Sequence, residues 1–192
     1  RHSLTTWNEE KRLQGWKNSD LTKQGLEDAK RLGNYLKNQS FDGIYSSPLK
    51  RAKETAQLIF PNKTIIEDDR LKEMNFGDYE GKFIDELKKE KDYYTLWNEP
   101  QGDFSIKNGE TYQEVVDRVL DFIEEKYKKN KKCIFITIHG MLFTILNGLF
   151  LNLPIEHFNE VNQNIVRGCS LSLFEYNGKE FKIDYIGKDD FL

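Results

Sequence analysis

The sequence predicts an α/β fold, a three-layer αβα sandwich with a mostly parallel central sheet and one antiparallel strand near the C-terminus. Three observations carry this. Short apolar runs at Gly43–Ser46 and Cys133–Ile138 have the length of buried strands. Stretches with helical periodicity alternate with them, the pattern of a parallel sheet covered on both faces. An Asn177-Gly178 pair between two further runs is a strong hairpin signal.

The elements follow in chain order. From Leu21 to Asn38 the apolar residues Leu26, Ala29, Leu32 and Leu36 recur at helical spacing, with Thr22 placed to cap the N-terminus. Gly43–Ser46 reads as a strand, and Ser47-Pro48 as an N-cap followed by proline at the first helical position, opening a helix to about Phe60. Thr64 to Glu67 is extended. Asp68 to Gly81 mixes acids, aromatics and glycines without a period, which suits an active-site loop. Phe83 to Trp97 is predicted helical, and the Pro/Gly loop from Glu99 to Gly109 leads into a capping box, Thr111-x-x-Glu114. The helix that follows runs to about Asn130, with Val115, Val119, Phe122 and Ile123 on one face. Cys133 to Ile138 reads as a strand buried on both faces. It ends at His139-Gly140, and Met141 to Leu149 resumes as a mostly apolar helix.

A chain of 192 residues is long enough for one domain that removes about 70% of its unfolded surface from water. Its 29 basic and 32 acidic residues give a net charge of −3, which excludes the basic excess of a nucleic-acid binder, so any anion site must be local. Cys133 and Cys169 are too few and too far apart for a disulfide framework or a metal site, and both are expected to be reduced, buried thiols. No apolar run approaches the ~20 residues that span a bilayer. A soluble, cytoplasmic chain without a membrane partner is therefore expected.

Four segments hold side chains capable of chemistry. Arg1-His2, followed by Thr5-x-Trp7-Asn8, sets a potential nucleophile beside a permanent cation. Ser46-Ser47-Pro48-x-x-Arg51-Ala52 puts Arg51 in the first turn of a helix, where its side chain leans back over unsatisfied amides; guanidinium and helix terminus together would make a phosphate site. Leu71-x-Glu73-x-x-Phe76-Gly77-x-x-Glu80-Gly81 supplies a carboxylate, Glu73, flanked by apolar residues and suited to proton transfer if buried. His139 sits after a strand and before a helix, where α/β sheets bind ligands. Taken singly, each has an ordinary reading: a solvated Arg-His pair, an exposed helical arginine, a loop acid, a satisfied histidine at a strand end. The third histidine, His157, reads as a surface residue.

Together, and in this order, the segments resemble the histidine phosphatase (phosphoglycerate mutase-like) superfamily. The resemblance spans nearly the whole chain and also takes in Arg12-x-Gln14-Gly15, Leu21-Thr22-x-x-Gly25, Gly109-Glu110-Thr111 and His139-Gly140. It implies a single domain over residues 1–192 with a small helical cap insertion at roughly 81–110, and a short apolar strand expected upstream of Arg1 in the centre of the sheet. One departure is Ser3, where the family usually has glycine; serine fits if that backbone is extended, with a hydroxyl free to donate to phosphate.

The resemblance further implies catalysis through a phosphohistidine. His2 would be the nucleophile. Arg1, Arg51 and His139 would surround the phosphoryl oxygens, Asn8 would add a hydrogen bond, and Gln14, Gly15 and Gly140 would complete the substrate site. Glu73 would protonate the leaving oxygen and then activate water. No metal or other cofactor is implied, and the expected partner is a small-molecule phosphate monoester. The interval from Gly81 to Gly109 is short for a mutase and resembles the phosphatase branch, which includes α-ribazole and broad-specificity phosphatases. Its aromatics Tyr79, Phe83, Tyr93, Tyr94, Trp97 and Phe104 would either wall the pocket for a bulky or apolar leaving group or pack the cap onto the core. A phosphoglycerate mutase and a non-catalytic phosphate binder remain the alternatives, and the sequence leaves the oligomeric state open.

Overall fold

A computed structural model describes residues 1–162 and 166–192. Its elements are α1 (Thr6–Glu9), α2 (Lys23–Leu36), β1 (Gly43–Ser46), α3 (Lys50–Ile59), β2 (Ile66–Glu67), α4 (Ile84–Leu87), α5 (Lys91–Asn98), α6 (Tyr112–Lys128), β3 (Ile134–Thr137), α7 (Gly140–Phe150), α8 (Asn159–Asn162), β4 (Leu171–Tyr176) and β5 (Phe181–Lys188). β1 lies between β2 and β3, parallel to both, with Ile44 opposite Phe135 and Tyr45 opposite Ile136.

Side-chain alternation along these strands creates the layers. Ile44 and Phe135 point to one face, where they pack with Ala29, Leu32 and Leu36 of α2 and Ile59 of α3. Tyr45, Ile134 and Ile136 point to the other, against Val115, Val119 and Phe122 of α6 and Leu142, Ile145 and Leu146 of α7. Each fully buried leucine in these clusters contributes roughly 2 kcal/mol. The sheet is therefore sandwiched as expected. The antiparallel element takes the form of a two-stranded sheet of its own, β4 with β5, joined through Asn177-Gly178. The Arg1-His2 backbone runs between the two sheets: His2 N–H donates to the Ile138 carbonyl at 2.7 Å, and Cys169 N–H donates to the Arg1 carbonyl at 3.1 Å.

Several local expectations need correction. Leu26 is exposed, because the face of α2 that packs inward runs through Gly25, Ala29, Leu32 and Leu36, one position away. Ser47 does not cap α3. Its N–H still bonds the Thr137 carbonyl in the sheet, so the chain needs Pro48 and Leu49 to turn, and Leu49 occupies the cap position without a side-chain bond. The segment from Phe83 to Trp97 breaks into α4 and α5 at Lys88–Glu90, where no apolar residue continues the buried stripe and Glu90 is extended. On β3, Phe135 and Thr137 are buried but Ile134 and Ile136 only half-buried. Cys133 is exposed because β3 starts one residue later, whereas Cys169 is buried. The capping box of α6 forms as read, Thr111 with Glu114. Among the described residues no single helix is long and apolar enough to cross a membrane.

Candidate active site

The carboxyl ends of β1 and β3 open onto a cavity of about 190 Å³. Arg1, His2, Asn8, Gln14, Gly15, Arg51, Glu73 and Gly140 all line it, so the fold gathers eight of the nine predicted site residues from segments spread over 140 positions. The ninth, His139, is fully buried beside the wall, its ring centre 5.2 Å from that of His2.

His2 is 2% exposed, and the hydrogen bond between its Nδ1 and the Ser3 carbonyl, 2.7 Å, sets its orientation. A carbonyl only accepts, so Nδ1 carries the proton and Nε2 keeps its lone pair. That lone pair accepts a hydrogen bond from Arg51 Nε–H at 3.3 Å. Burial, then the charges of Arg51 and Arg1, hold His2 well below the ordinary histidine value. The ring is neutral at neutral pH, the state a nucleophile needs.

Arg51 is 1% exposed and held at three points. It donates to the carbonyls of Gly15 (2.7 Å) and Lys17 (2.8 Å) and to Asn18 Oδ1 (3.2 Å). Burial lowers it to about 10, with Glu73 and Glu80 opposing, so it stays charged. The expected anion site at the start of α3 is not formed: none of residues 47–50 reaches the cavity. The terminus that does is that of α7, and its amides are already engaged. Glu73 Oε2 accepts from Met141 N–H (3.1 Å), and Oε1 accepts from Leu142 N–H (2.9 Å) and Met74 N–H (3.0 Å). A side-chain oxygen there satisfies amides that have no partner within the helix.

Arg1 donates to the Val166 carbonyl at 2.8 Å, and its guanidinium packs beside Gly140. Burial lowers Arg1 from the ordinary arginine value and Glu73 opposes the shift. Among the described residues neither Arg1 Nε nor the two ring nitrogens of His139 meets a hydrogen-bonding partner. His139 is held well below the ordinary histidine value by burial first and then by Arg51. Buried polar atoms of this kind cost free energy unless something satisfies them, and an oxyanion in the cavity would accept from Arg1 Nε–H and from the one protonated nitrogen of His139. Asn8 Oδ1 is occupied by Thr5 N–H and Oγ–H, which leaves the amide nitrogen as the donor. Gln14 Oε1 accepts from Ser19.

Other expectations fare differently. Ser3 has no left-handed backbone, so serine fits, but its hydroxyl donates to the Gly25 carbonyl at 2.7 Å and is not available to phosphate. Gly25 is required because a Cβ there would lie 2.3 Å from the Leu4 carbonyl oxygen. Of the six cap aromatics only Tyr93 and Trp97 line the cavity; Tyr79 and Phe104 pack on the core, Tyr94 is exposed, and Phe83 lies under Arg12. His157 is on the surface, paired with Glu160. Sequence reasoning missed Arg12, Leu13, Phe76, Ile84 and Met141 as lining residues. Arg12 lies in the Arg12-x-Gln14-Gly15 segment, but the four apolar residues carry no chemical signal. A shallower depression of about 530 Å³ is bounded by Asp103, Glu114 and Asp117, whose charges would repel a phosphate.

The sequence pattern of the histidine phosphatase superfamily (branch 1) matches residues 1–189. A metal-independent phosphoserine phosphatase of Arabidopsis thaliana is 34% identical over 160 residues, covering 80% of this chain and 66% of that protein. A Salmonella choleraesuis protein that carries the phosphoglycerate mutase name GpmB is 32% identical over 187 residues, covering 94% of this chain and 85% of that protein. The crystal structure of the alpha-ribazole phosphatase from Shigella flexneri superposes with a TM-score of 0.84 at 27% identity, over 98% of this chain and 94% of that one. The chain belongs to the histidine phosphatase superfamily, branch 1, and is an enzyme of the phosphomonoesterase type.

Proposed function

We propose that the chain hydrolyses a small-molecule phosphate monoester without a metal, through a phosphohistidine on His2. The observation that carries this reading is the His2 ring, fixed through Nδ1 with the Nε2 lone pair at the cavity and 3.3 Å from Arg51 Nε. In the first step Nε2 attacks phosphorus as the bond to the leaving oxygen breaks, and Glu73, having first taken the proton of the bound monoester monoanion, passes it to that oxygen. In the second, Glu73 takes a proton from water while the water oxygen attacks phosphorus and the N–P bond breaks. Glu73 Oε1 accepts two backbone bonds and Oε2 only one, which makes Oε2 the oxygen for this transfer. Arg1 and Arg51 supply positive charge where the phosphoryl oxygens gather charge, and His139 and Asn8 add donors.

The cavity volume lies below the ~300–1,000 Å³ usual for drug-sized ligands, which supports a small alcohol portion. Release of inorganic phosphate from 4-nitrophenyl phosphate and from O-phosphoserine tests the reading. Phosphate binding without turnover would instead mean a binding protein. The mutase name of one relative favours a second reading, and 3-phosphoglycerate with a trace of its bisphosphate decides it: isomer without free phosphate would displace hydrolysis.

A further inference from the structure

A second buried carboxylate, Glu80, lies behind the site and belongs to none of the roles above. It is 8% exposed and forms no ion pair among the described residues; backbone amides surround it instead. Its Oε1 accepts from Trp16 N–H (2.8 Å) and Phe76 N–H (3.1 Å), and its Oε2 accepts from Lys17 N–H (3.0 Å). Gly15 has φ of +55°, and a Cβ there would lie 1.9 Å from Glu80 Oε1, so the glycine is needed both for its conformation and for the close approach of this carboxylate.

The two segments that Glu80 joins are those that set the two halves of the chemistry. On one side, Gly15 and Lys17 turn their carbonyls to the Arg51 guanidinium. On the other, Phe76 ends the segment that begins at Glu73, and the indole N–H of Trp16 donates to the Glu73 carbonyl at 2.8 Å. We infer that Glu80 is a positioning residue that fixes the phosphate clamp, Arg51, and the proton donor, Glu73, relative to each other. It does so by orienting one turn of backbone between them, and it touches neither the substrate nor the reacting atoms. The inference rests on the phosphatase reading and adds a residue to it. A misplacement of about 1 Å in such a constellation costs on the order of 100-fold in rate.

Glu80→Gln tests this, since it keeps the shape but turns an amide N–H₂ toward one of the donors that Glu80 now accepts from. Wild-type turnover of 4-nitrophenyl phosphate is measured first, and its absence would sink the underlying reading and not this one alone. In a variant that melts as a folded protein, kcat is expected to fall about 100-fold. Inhibition by orthovanadate is expected to weaken, reporting Arg51. The loss on an alkyl phosphate is expected to exceed that on the aryl phosphate, reporting Glu73. Glu80→Asp, which keeps the charge, is expected to recover part of the rate, and it carries the same measurements if Glu80→Gln does not fold. A folded variant with unchanged kcat, vanadate affinity and leaving-group dependence would overturn the inference, as would a lowered melting temperature with normal kinetics.

Discussion

Arg51 Nε donates to His2 Nε2 at 3.3 Å, so the two groups that the proposed mechanism uses as phosphoryl clamp and nucleophile meet before any substrate arrives. The guanidinium reaches this position from α3 only because the loop at Gly15–Asn18 offers it three acceptors. Arg51→Lys keeps the charge but has no planar fork to reach them. Its kcat/KM on 4-nitrophenyl phosphate is expected to fall by about 10²–10³-fold, the usual effect of removing a transition-state donor. A loss under tenfold in steady-state kinetics would mean that Arg51 only shapes the loop.

His2→Ala is expected to abolish the phosphoenzyme. Rapid quenching with labelled substrate should trap an acid-labile, base-stable adduct in the wild type and none in the variant. Persistent labelling would assign the nucleophile elsewhere. His139 is the group to examine in that event, since its ring centre is 5.2 Å from that of His2.

Glu73→Gln keeps an oxygen for the amides of α7 but can no longer deliver a proton. Turnover is expected to drop by about 10²–10⁴-fold with an alkyl leaving group and by less with 4-nitrophenolate, which leaves unaided. Vanadate affinity should change little. Equal losses on both substrates would remove Glu73 from the acid role.

The candidate site residues were legible because their segments, in order, resemble those of the histidine phosphatase superfamily, and the fold brings the Arg1, His2, Arg51 and Glu73 segments to one cavity. What escaped were the interactions that hold them there. Glu80 lies in the same segment as Glu73, yet a carboxylate whose partners among the described residues are backbone amides leaves no partner side chain in the sequence to reveal it. Arg118 is similar: it donates to the carbonyls of Arg70, Lys72 and Glu73 and pairs with Glu110, tying the Gly109-Glu110-Thr111 motif to the segment that carries Glu73. At the start of α3 the Arg51 side chain reaches the cavity while residues 47–50 do not, because Ser47 N–H is still held by the Thr137 carbonyl in the sheet.

Ser3 separates a packing role from a catalytic one. Its hydroxyl donates to the Gly25 carbonyl, and its N–H to Thr55 Oγ1 at 3.0 Å. Ser3→Ala leaves the Gly25 carbonyl without that donor and is expected to cost about 1–2 kcal/mol in denaturant unfolding. The kcat/KM should stay within about threefold, since a change below that corresponds to well under 1 kcal/mol at the transition state. A selective loss of phosphate affinity at unchanged stability would show that the hydroxyl reaches substrate after all.

The two buried histidines make stability depend on pH. His2 and His139 are both held well below the ordinary histidine value, by burial first and then by Arg51, with Arg1 adding to each. In the unfolded chain each takes a proton at about pH 6.5, while in the fold each is still neutral there. The unfolded state therefore binds more protons below that pH, and acidification favours it. The contribution is complete above pH 6.5 and is lost as the pH falls from there toward the folded values, at about 1.4 kcal/mol per pH unit for each histidine. Urea unfolding from pH 7.5 to 5.0 checks this by comparing wild type with His139→Gln. The variant is expected to lose stability less steeply below pH 6.5, by about 1.4 kcal/mol per unit. Identical slopes would mean that His139 is charged or solvated in the folded enzyme.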